Sequence, residues 1–329
     1  MRAAVLTGPG AVEVAGDWPE PECGPDDVVV AVRAVGVCGS DLAVVDGKRA
    51  VPSLPWALGH EAIGDIIRVG GNVPAGRLGE RVAVEPNFPC LHCAACTSGR
   101  TAVCPDRRIL GINEPGALRE RVTVPARFAW TAPVGLADED LVCVEPLAVA
   151  LAALTRAGLA AGERCLVVGA GAQGLLVCLA AQALGARPFV VDPHEGRLAT
   201  AAELGAAAMP AGPDVSMDFP VVFETSGVPV ALETAVERCA PDGRIVLIGQ
   251  SAVPARLSTF TVVQRRITLR GCLIYDHPAD FAAAVARAAE LRPGRILRGR
   301  FPLERAGDAF AQARKLPGKT WITLEEPSR

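Results

Sequence analysis

Aromatic residues make up only 4% of the 329 positions, with a single tyrosine. A pocket walled by many large rings is therefore not expected. A dominant charge is missing too: the formal net charge is −3, with no basic run and no acidic tail. Neither nucleic acid nor an anionic membrane surface is an expected partner, and basic residues are not interleaved with aromatics. Long apolar runs are absent. The most apolar stretch, GLLVCLAAQALG, falls well short of a membrane span. The opening MRAAVLTGPG is too short and too polar for a signal peptide, so the expected location is the cytoplasm. No internal repeat or low-complexity segment interrupts the chain.

What is present is half hydrophobic, with 34 glycines and 27 prolines, the profile of a turn-rich α/β enzyme. The length exceeds one comfortable core and predicts two domains. Short strand patterns separated by Gly and Pro come first: DDVVVAVRAVGV, EAIGDIIRVG, GERVAVEP and LRERVTVPA. At Pro146 the texture changes to a helix, PLAVALAALTRAGL, and then strands and helices alternate from RCLVVG to GRIVLIG. Such alternation predicts a parallel, doubly wound sheet covered on both faces. The expected division is a β-rich part over 1–140, a doubly wound part over 141–274, and a tail over 275–329 that rejoins the first. That tail carries one helix, PADFAAAVARAAELR, and a last strand, TWITLEE.

LVVGAGAQG sets Gly169, Gly171 and Gly174 in the G-x-G-x-x-G spacing between a strand and a helix that opens with Ala172 and Gln173. Glycine there permits a tight turn, close backbone approach to a pyrophosphate, and close packing of helix on strand. The helix N-terminus offers free N–H groups to the phosphates. The next strand, PFVVD, ends in Asp192, placed to bind ribose hydroxyls and repel a 2′-phosphate. NAD is the expected cofactor. His194 and Arg197 lie nearby, and an arginine tolerates a phosphate, so NADP stays open.

Eleven cysteines in a reducing compartment call for metal or catalysis. CLHCAACTSGRTAVC places Cys90, Cys93, Cys96 and Cys104 where four thiolates can wrap one tetrahedral zinc and close its shell. A disulfide pair and an iron–sulfur cluster are the alternatives. His92, inside the loop, reads as solvated. Cys38, in GVCGSD, taken alone reads as a small buried residue. With His60 and Glu61 of GHE, and Glu145 just before Pro146, it becomes part of a set able to converge on a catalytic zinc with one position open.

Taken together, GVCGSD, GHE, GERVAVEP, the cysteine loop, VEPLAVAL, GAGAQG, the VVD ending in Asp192, FETSG and RGCLIYD resemble the zinc-dependent medium-chain alcohol dehydrogenases, in their polyol and threonine dehydrogenase branch. The resemblance spans nearly the whole chain. It implies a β-rich GroES-like catalytic domain plus a doubly wound Rossmann cofactor domain, two zinc ions per chain, and a homo-oligomer, dimer or tetramer. It implies that Cys38 and His60 ligate zinc, with Glu61 and Glu145 bound directly or through water. Ser40 would take the alcohol proton and Asp41 would orient a ligand. Many relatives carry a histidine two residues after that aspartate; here Ala43 stands there, so the relay beyond Ser40 must use ribose and water, or Glu145 and water.

The implied reaction makes a hydroxyl acidic at zinc and passes hydride from its carbon to the nicotinamide. The expected substrate is a small secondary alcohol on a polyhydroxylated or amino-substituted skeleton: a polyol, cyclitol, aminocyclitol, sugar or hydroxy amino acid. Trp56, Asn87, Asn113 and Tyr275 are candidate substrate contacts, with Phe88 and Glu114 near them. In GINEPGALRE, Glu114-Pro115-Gly116 and Leu118 replace an Asp-Gly and an aromatic common in relatives, which loosens any transfer of substrate. Competing readings are an NADPH-dependent carbonyl reductase of the same family, a zinc-free quinone reductase on the same scaffold, and a zinc-binding interaction module built on the cysteine loop.

Overall fold

A computed structural model describes residues 1–209 and 218–324. It divides into two units, Met1–Glu145 with Ala284–Arg329, and Pro146–Ala283. The division thus falls at 145 and 283 rather than at the expected 140 and 274, so residues 275–283, expected in the tail that rejoins the first part, belong to the second unit.

The first unit is built on a seven-stranded sheet. Its path runs Ala129–Thr131, Arg81–Val84, Glu61–Val69, Asp27–Gly36, Lys319–Thr323 and Leu297–Pro302, and Arg121–Pro125 also pairs with Asp27–Gly36. The strand Asp27–Gly36 is nearly continuous in Val and Ala, and most of its residues are buried. Val28, Val30, Val35, Ile66, Val84, Leu118, Phe128 and Ile322 lie in one core cluster around this sheet. Two pairings matter for the site: Gly36 stands opposite Glu61 on one side and opposite Trp321 on the other. The sequence expectation of a last strand holds at Lys319–Thr323, while Glu325 and Glu326 of TWITLEE lie outside the described residues. A seven-residue helix, Gly39–Val45, directly follows Cys38; the sequence offered no clear periodicity for it.

The second unit holds six parallel strands in the order Ala207–Ala208, Arg187–Val191, Arg164–Val168, Phe219–Glu224, Cys239–Leu247 and Thr268–Gly271. The chain winds outward from Arg164–Val168 in one direction and then returns to its other side. That reversal creates the switch point at which doubly wound sheets bind dinucleotides. The helix Ala172–Ala183 buries Leu175, Leu176, Val177 and Cys178, so its packing rather than its capping fixes its place.

Gly64, in the strand Glu61–Val69, sits where a Cβ would run into the carbonyl of Ala31 on the neighbouring strand. Gly64→Ala should therefore force the central pair of strands apart and cost about 1–3 kcal/mol of stability, read as a lower denaturant midpoint with an unchanged slope.

Candidate functional site

The site grows from the carboxylate of Asp41, which is fully buried. One oxygen accepts the backbone N–H of Cys38 at 3.0 Å, and the other lies 3.0 Å from Nδ1 of His60. The first contact caps the helix Gly39–Val45 and fixes Cys38 at its start. The second fixes the imidazole tautomer: with the proton on Nδ1, Nε2 keeps its lone pair for a metal. Burial disfavours a charged His60, yet the Asp41 carboxylate, with Cys38 beside it, outweighs this and raises its pKa well above the ordinary value. A metal and a second proton therefore compete for the same nitrogen.

Around Nε2 the other groups gather. Ligand atoms of Cys38, His60 and Glu61 all lie within 4.8 Å of one another, and Ser40 Oγ is 3.4 Å from His60 Nε2. A thiol, an imidazole and a carboxylate at this separation are a donor set suited to zinc. Glu145 lies at the start of the helix Val144–Ala157, buried, outside that group of three. Sequence reasoning missed Lys319. It is 2% exposed, ion-paired to Glu61 Oε2, and donates to the carbonyl of Val37 at 3.2 Å. Glu61 and Lys319 meet over Gly36, where a Cβ would collide with Glu61 Oε2 and Lys319 Cε. Nothing in the sequence links a lysine in the last strand to a glutamate so far upstream.

The second metal group is Cys90, Cys93, Cys96 and Cys104. Cys90 and Cys96 sulfurs are 3.9 Å apart, and those of Cys93 and Cys104 4.0 Å. Four thiolates about 2.3 Å from one zinc would stand about 3.8 Å from each other, so the loop fits that ion. Their sulfurs also accept backbone N–H groups: Cys90 from Cys93, Cys93 from Cys96, and Cys104 from Cys90. The His92 backbone N–H lowers the Cys90 pKa to about 6, whereas burial raises that of Cys96 to about 12. His92 is turned to the Cys90 carbonyl, exposed, and takes no part in the group.

In the second unit Gly169 has φ +103°, a backbone state that side chains rarely adopt, and a Cβ on Gly174 would strike the Gly169 carbonyl. Gly171 caps the helix with open space around its α-carbon, where a phosphate can approach. Asp192 is buried, and its two oxygens accept the backbone N–H groups of Ala170 and His194, each at 2.8 Å. Arg197 Nη1 lies 3.7 Å from the same carboxylate. Gln173 donates to the Pro146 carbonyl. Glu224, at the end of the neighbouring strand, accepts Ser226 and Gly227 N–H groups and so stiffens the turn beside Gly169; it lies in the FETSG motif, which the sequence reading quoted without giving this residue a role.

The candidate substrate contacts fare differently. Trp56 is buried and donates Nε1–H to the Gly111 carbonyl at 3.0 Å. Asn113 closes its own turn, accepting Ile109 N–H and donating to the Arg107 carbonyl. Asn87 lies buried in the short strand Asn87–Phe88. Tyr275, in the second unit, is buried edge-on against Phe281. Glu114 pairs with Arg108, whose guanidinium lies over Phe88.

Replacing Asp41 by Ala should leave His60 free to turn and Cys38 without its cap. Metal affinity at Cys38 and His60 is expected to fall about 10–100-fold, while the Cys90 loop keeps its ion, as competitive chelator titration would resolve.

Comparison with known proteins agrees with this chemistry. Residues 24–134 match the alcohol dehydrogenase GroES-like domain, and residues 172–290 match the zinc-binding dehydrogenase domain. The chain is 31% identical to an L-threonine 3-dehydrogenase of Saccharopolyspora erythraea, covering 95% of this chain and 96% of that protein. It is 29% identical to a sorbitol dehydrogenase of Bacillus subtilis over 100% of this chain and 98% of the other. An alcohol dehydrogenase of Escherichia coli CFT073, solved with NADH, superposes with a TM-score of 0.91 at 26% identity, over 98% of this chain and 99% of that one. Among the described residues no helix is long and apolar enough to cross a membrane. A GroES-like unit and a Rossmann unit, each carrying its expected motif, place the chain in the zinc-dependent medium-chain alcohol dehydrogenase family, in its polyol and threonine dehydrogenase branch, as an NAD(P)-dependent oxidoreductase acting on CH–OH groups.

Proposed function

We propose that the chain oxidises a secondary alcohol, carried on a polyhydroxylated or amino-substituted skeleton, to the ketone with NAD as acceptor. The observation that carries this reading is the meeting of a metal donor set and a hydroxyl: Cys38, His60 and Glu61 within 4.8 Å, and Ser40 Oγ against the free ring nitrogen of His60. The relatives named above support the substrate class, since their names span a sugar alcohol and a hydroxy amino acid. Cys38, His60 and Glu61, with Glu145 bound directly or through water, would hold the catalytic zinc, and the Cys90 loop a second, structural one. Zinc, when bound, makes a hydroxyl acidic near neutral pH, and NAD accepts the hydride. The residues of this chain supply the rest. Asp41 holds His60 and Cys38 in register, and Ser40 Oγ takes the substrate's hydroxyl proton while its own passes outward, to ribose and water or to Glu145 and water. Gly169, Gly171, Ala172 and Gly174 receive the pyrophosphate on backbone N–H groups.

Asp192 supports NAD, because a buried carboxylate at the strand end repels a 2′-phosphate. Arg197 beside it keeps one alternative in view, an NADPH-dependent carbonyl reductase. Assembly as a dimer or tetramer is part of the same reading. The strand Thr268–Gly271 ends its sheet, and the nearby helix Thr259–Gln264 leaves Phe260 and Val263 exposed.

Ser40→Ala should lower turnover by about 100-fold or more, as loss of a proton acceptor does, with zinc content by metal analysis unchanged; wild-type turnover would remove Ser40 from the reaction. A panel of polyols, cyclitols, aminocyclitols and hydroxy amino acids, followed by NADH and NADPH absorbance in parallel, should show oxidation with NAD preferred. Activity confined to unsubstituted primary alcohols would refute the substrate class.

A further inference from the structure

Arg2, Arg33, Arg77, Arg81 and Arg121, half-buried in the first unit, each pair with a carboxylate at 3.0 Å or less. Arg119 is half-buried too, yet among the described residues no carboxylate comes within ion-pair distance of it. Its Nε–H is closed off from solvent and has no hydrogen-bond partner. Its one side-chain hydrogen bond runs from Nη2 to the Pro115 carbonyl at 3.5 Å, a long and weak contact. The acid that acts on it, Glu114, is ion-paired to Arg108. Two guanidiniums thus share one carboxylate, and one positive charge is left over. Burial pulls the Arg119 pKa down to about 10, against the opposing field of Glu114, and at neutral pH the side chain stays charged.

The backbone that carries this charge is fixed. Arg119 bridges Ala3 of the first strand, and its N–H donates to the Ala117 carbonyl at 2.8 Å. Ala117 and Leu118 donate in turn to the carbonyls of Gly59 and Leu58, just before His60. Gly116 lies against the Leu58 carbonyl, where a Cβ would collide. Ala3, fully buried across the bridge, has no polar atom in its side chain to meet the guanidinium. A charged donor sealed from water without a partner is costly, and such a group in a folded protein calls for an explanation. The sealed Nε holds the side chain in one orientation and leaves the Nη edge facing outward, a planar pair of donors that matches two oxygens of a carboxylate or phosphate.

We propose that Arg119 anchors an oxyanion site in the first unit, taking the carboxylate or phosphate group of a small molecule on its Nη edge. The site uses neither the metal donors nor the glycine turn. Two sources share its chemistry, an acid group carried by the alcohol substrate and a free anion.

The full zinc-loaded chain, saturated with NADH so that the glycine turn is occupied, would be titrated with inorganic phosphate by calorimetry. Wild type should take up one phosphate per chain, and in Arg119→Met that affinity should fall about 10–100-fold. Arg119→Lys keeps the charge without the planar edge and should bind about tenfold more weakly. Glu114→Gln removes the competing acid and should bind about 2–5-fold more tightly. Phosphate should also raise the melting temperature of wild type and leave that of Arg119→Met unmoved. Equal affinity in wild type and Arg119→Met, or no phosphate binding in either, would overturn the proposal. So would a wild type that takes no phosphate while Arg119→Met changes the assembly seen in sedimentation, which would give the guanidinium to a carboxylate of a second copy. If Arg119→Met does not fold, wild-type affinity in Arg119→Lys overturns it as well. A polyol assayed beside its own aldonate separates the sources: an acid group on the substrate raises KM in Arg119→Met for the aldonate alone, and a free anion leaves both unchanged. The titration needs no turnover, so it stands or falls apart from the substrate reading.

Discussion

The catalytic half of this protein depends on one carboxylate that faces two ways. Asp41 caps the helix that follows Cys38 and orients His60, so a thiol from one strand end and an imidazole from another are set by a single buried group. Its burial is what gives it force. In a low-dielectric interior a carboxylate must be satisfied on both oxygens, and satisfying them fixes the direction of both candidate ligands. Ser40 and Asp41 are separated by one peptide on the same short helix, so the proposed proton acceptor is positioned by the same cap.

Glycine is the second constraint, through the space it leaves rather than through flexibility alone. Gly36 allows a buried ion pair to cross the sheet beside the metal donors, and Gly174 allows the cofactor helix to lie against the Gly169 carbonyl. Only Gly169, of these three, also needs its left-handed backbone state. Both units use the same device, a missing side chain where two chemical groups must approach closely.

Much of the site was legible in the sequence because it is local. The Cys90 loop, the glycine turn and Asp192 each lie within a short segment whose spacing alone imposes geometry, and the strand and helix bounds there agree closely with the patterns. Cys38 and His60 were legible only as a set, since each alone has an ordinary structural reading. Trp56 and Asn113 illustrate the opposite case. Their polar atoms looked available for substrate, but the folded chain uses them to tie its own backbone.

Sequence by itself determined the class of fold, the cofactor motif and the types of candidate metal ligand, because hydrophobic period, glycine spacing and thiol spacing are properties of neighbouring residues. The tertiary structure alone decided which charges share a buried space. Lys319 meets Glu61 only because the strand Lys319–Thr323 docks beside Asp27–Gly36 in the sheet, with Glu61–Val69 on that strand's other side. Such a pairing is set by sheet order across the whole chain, and charge interactions depend on distance in space, not separation along the sequence.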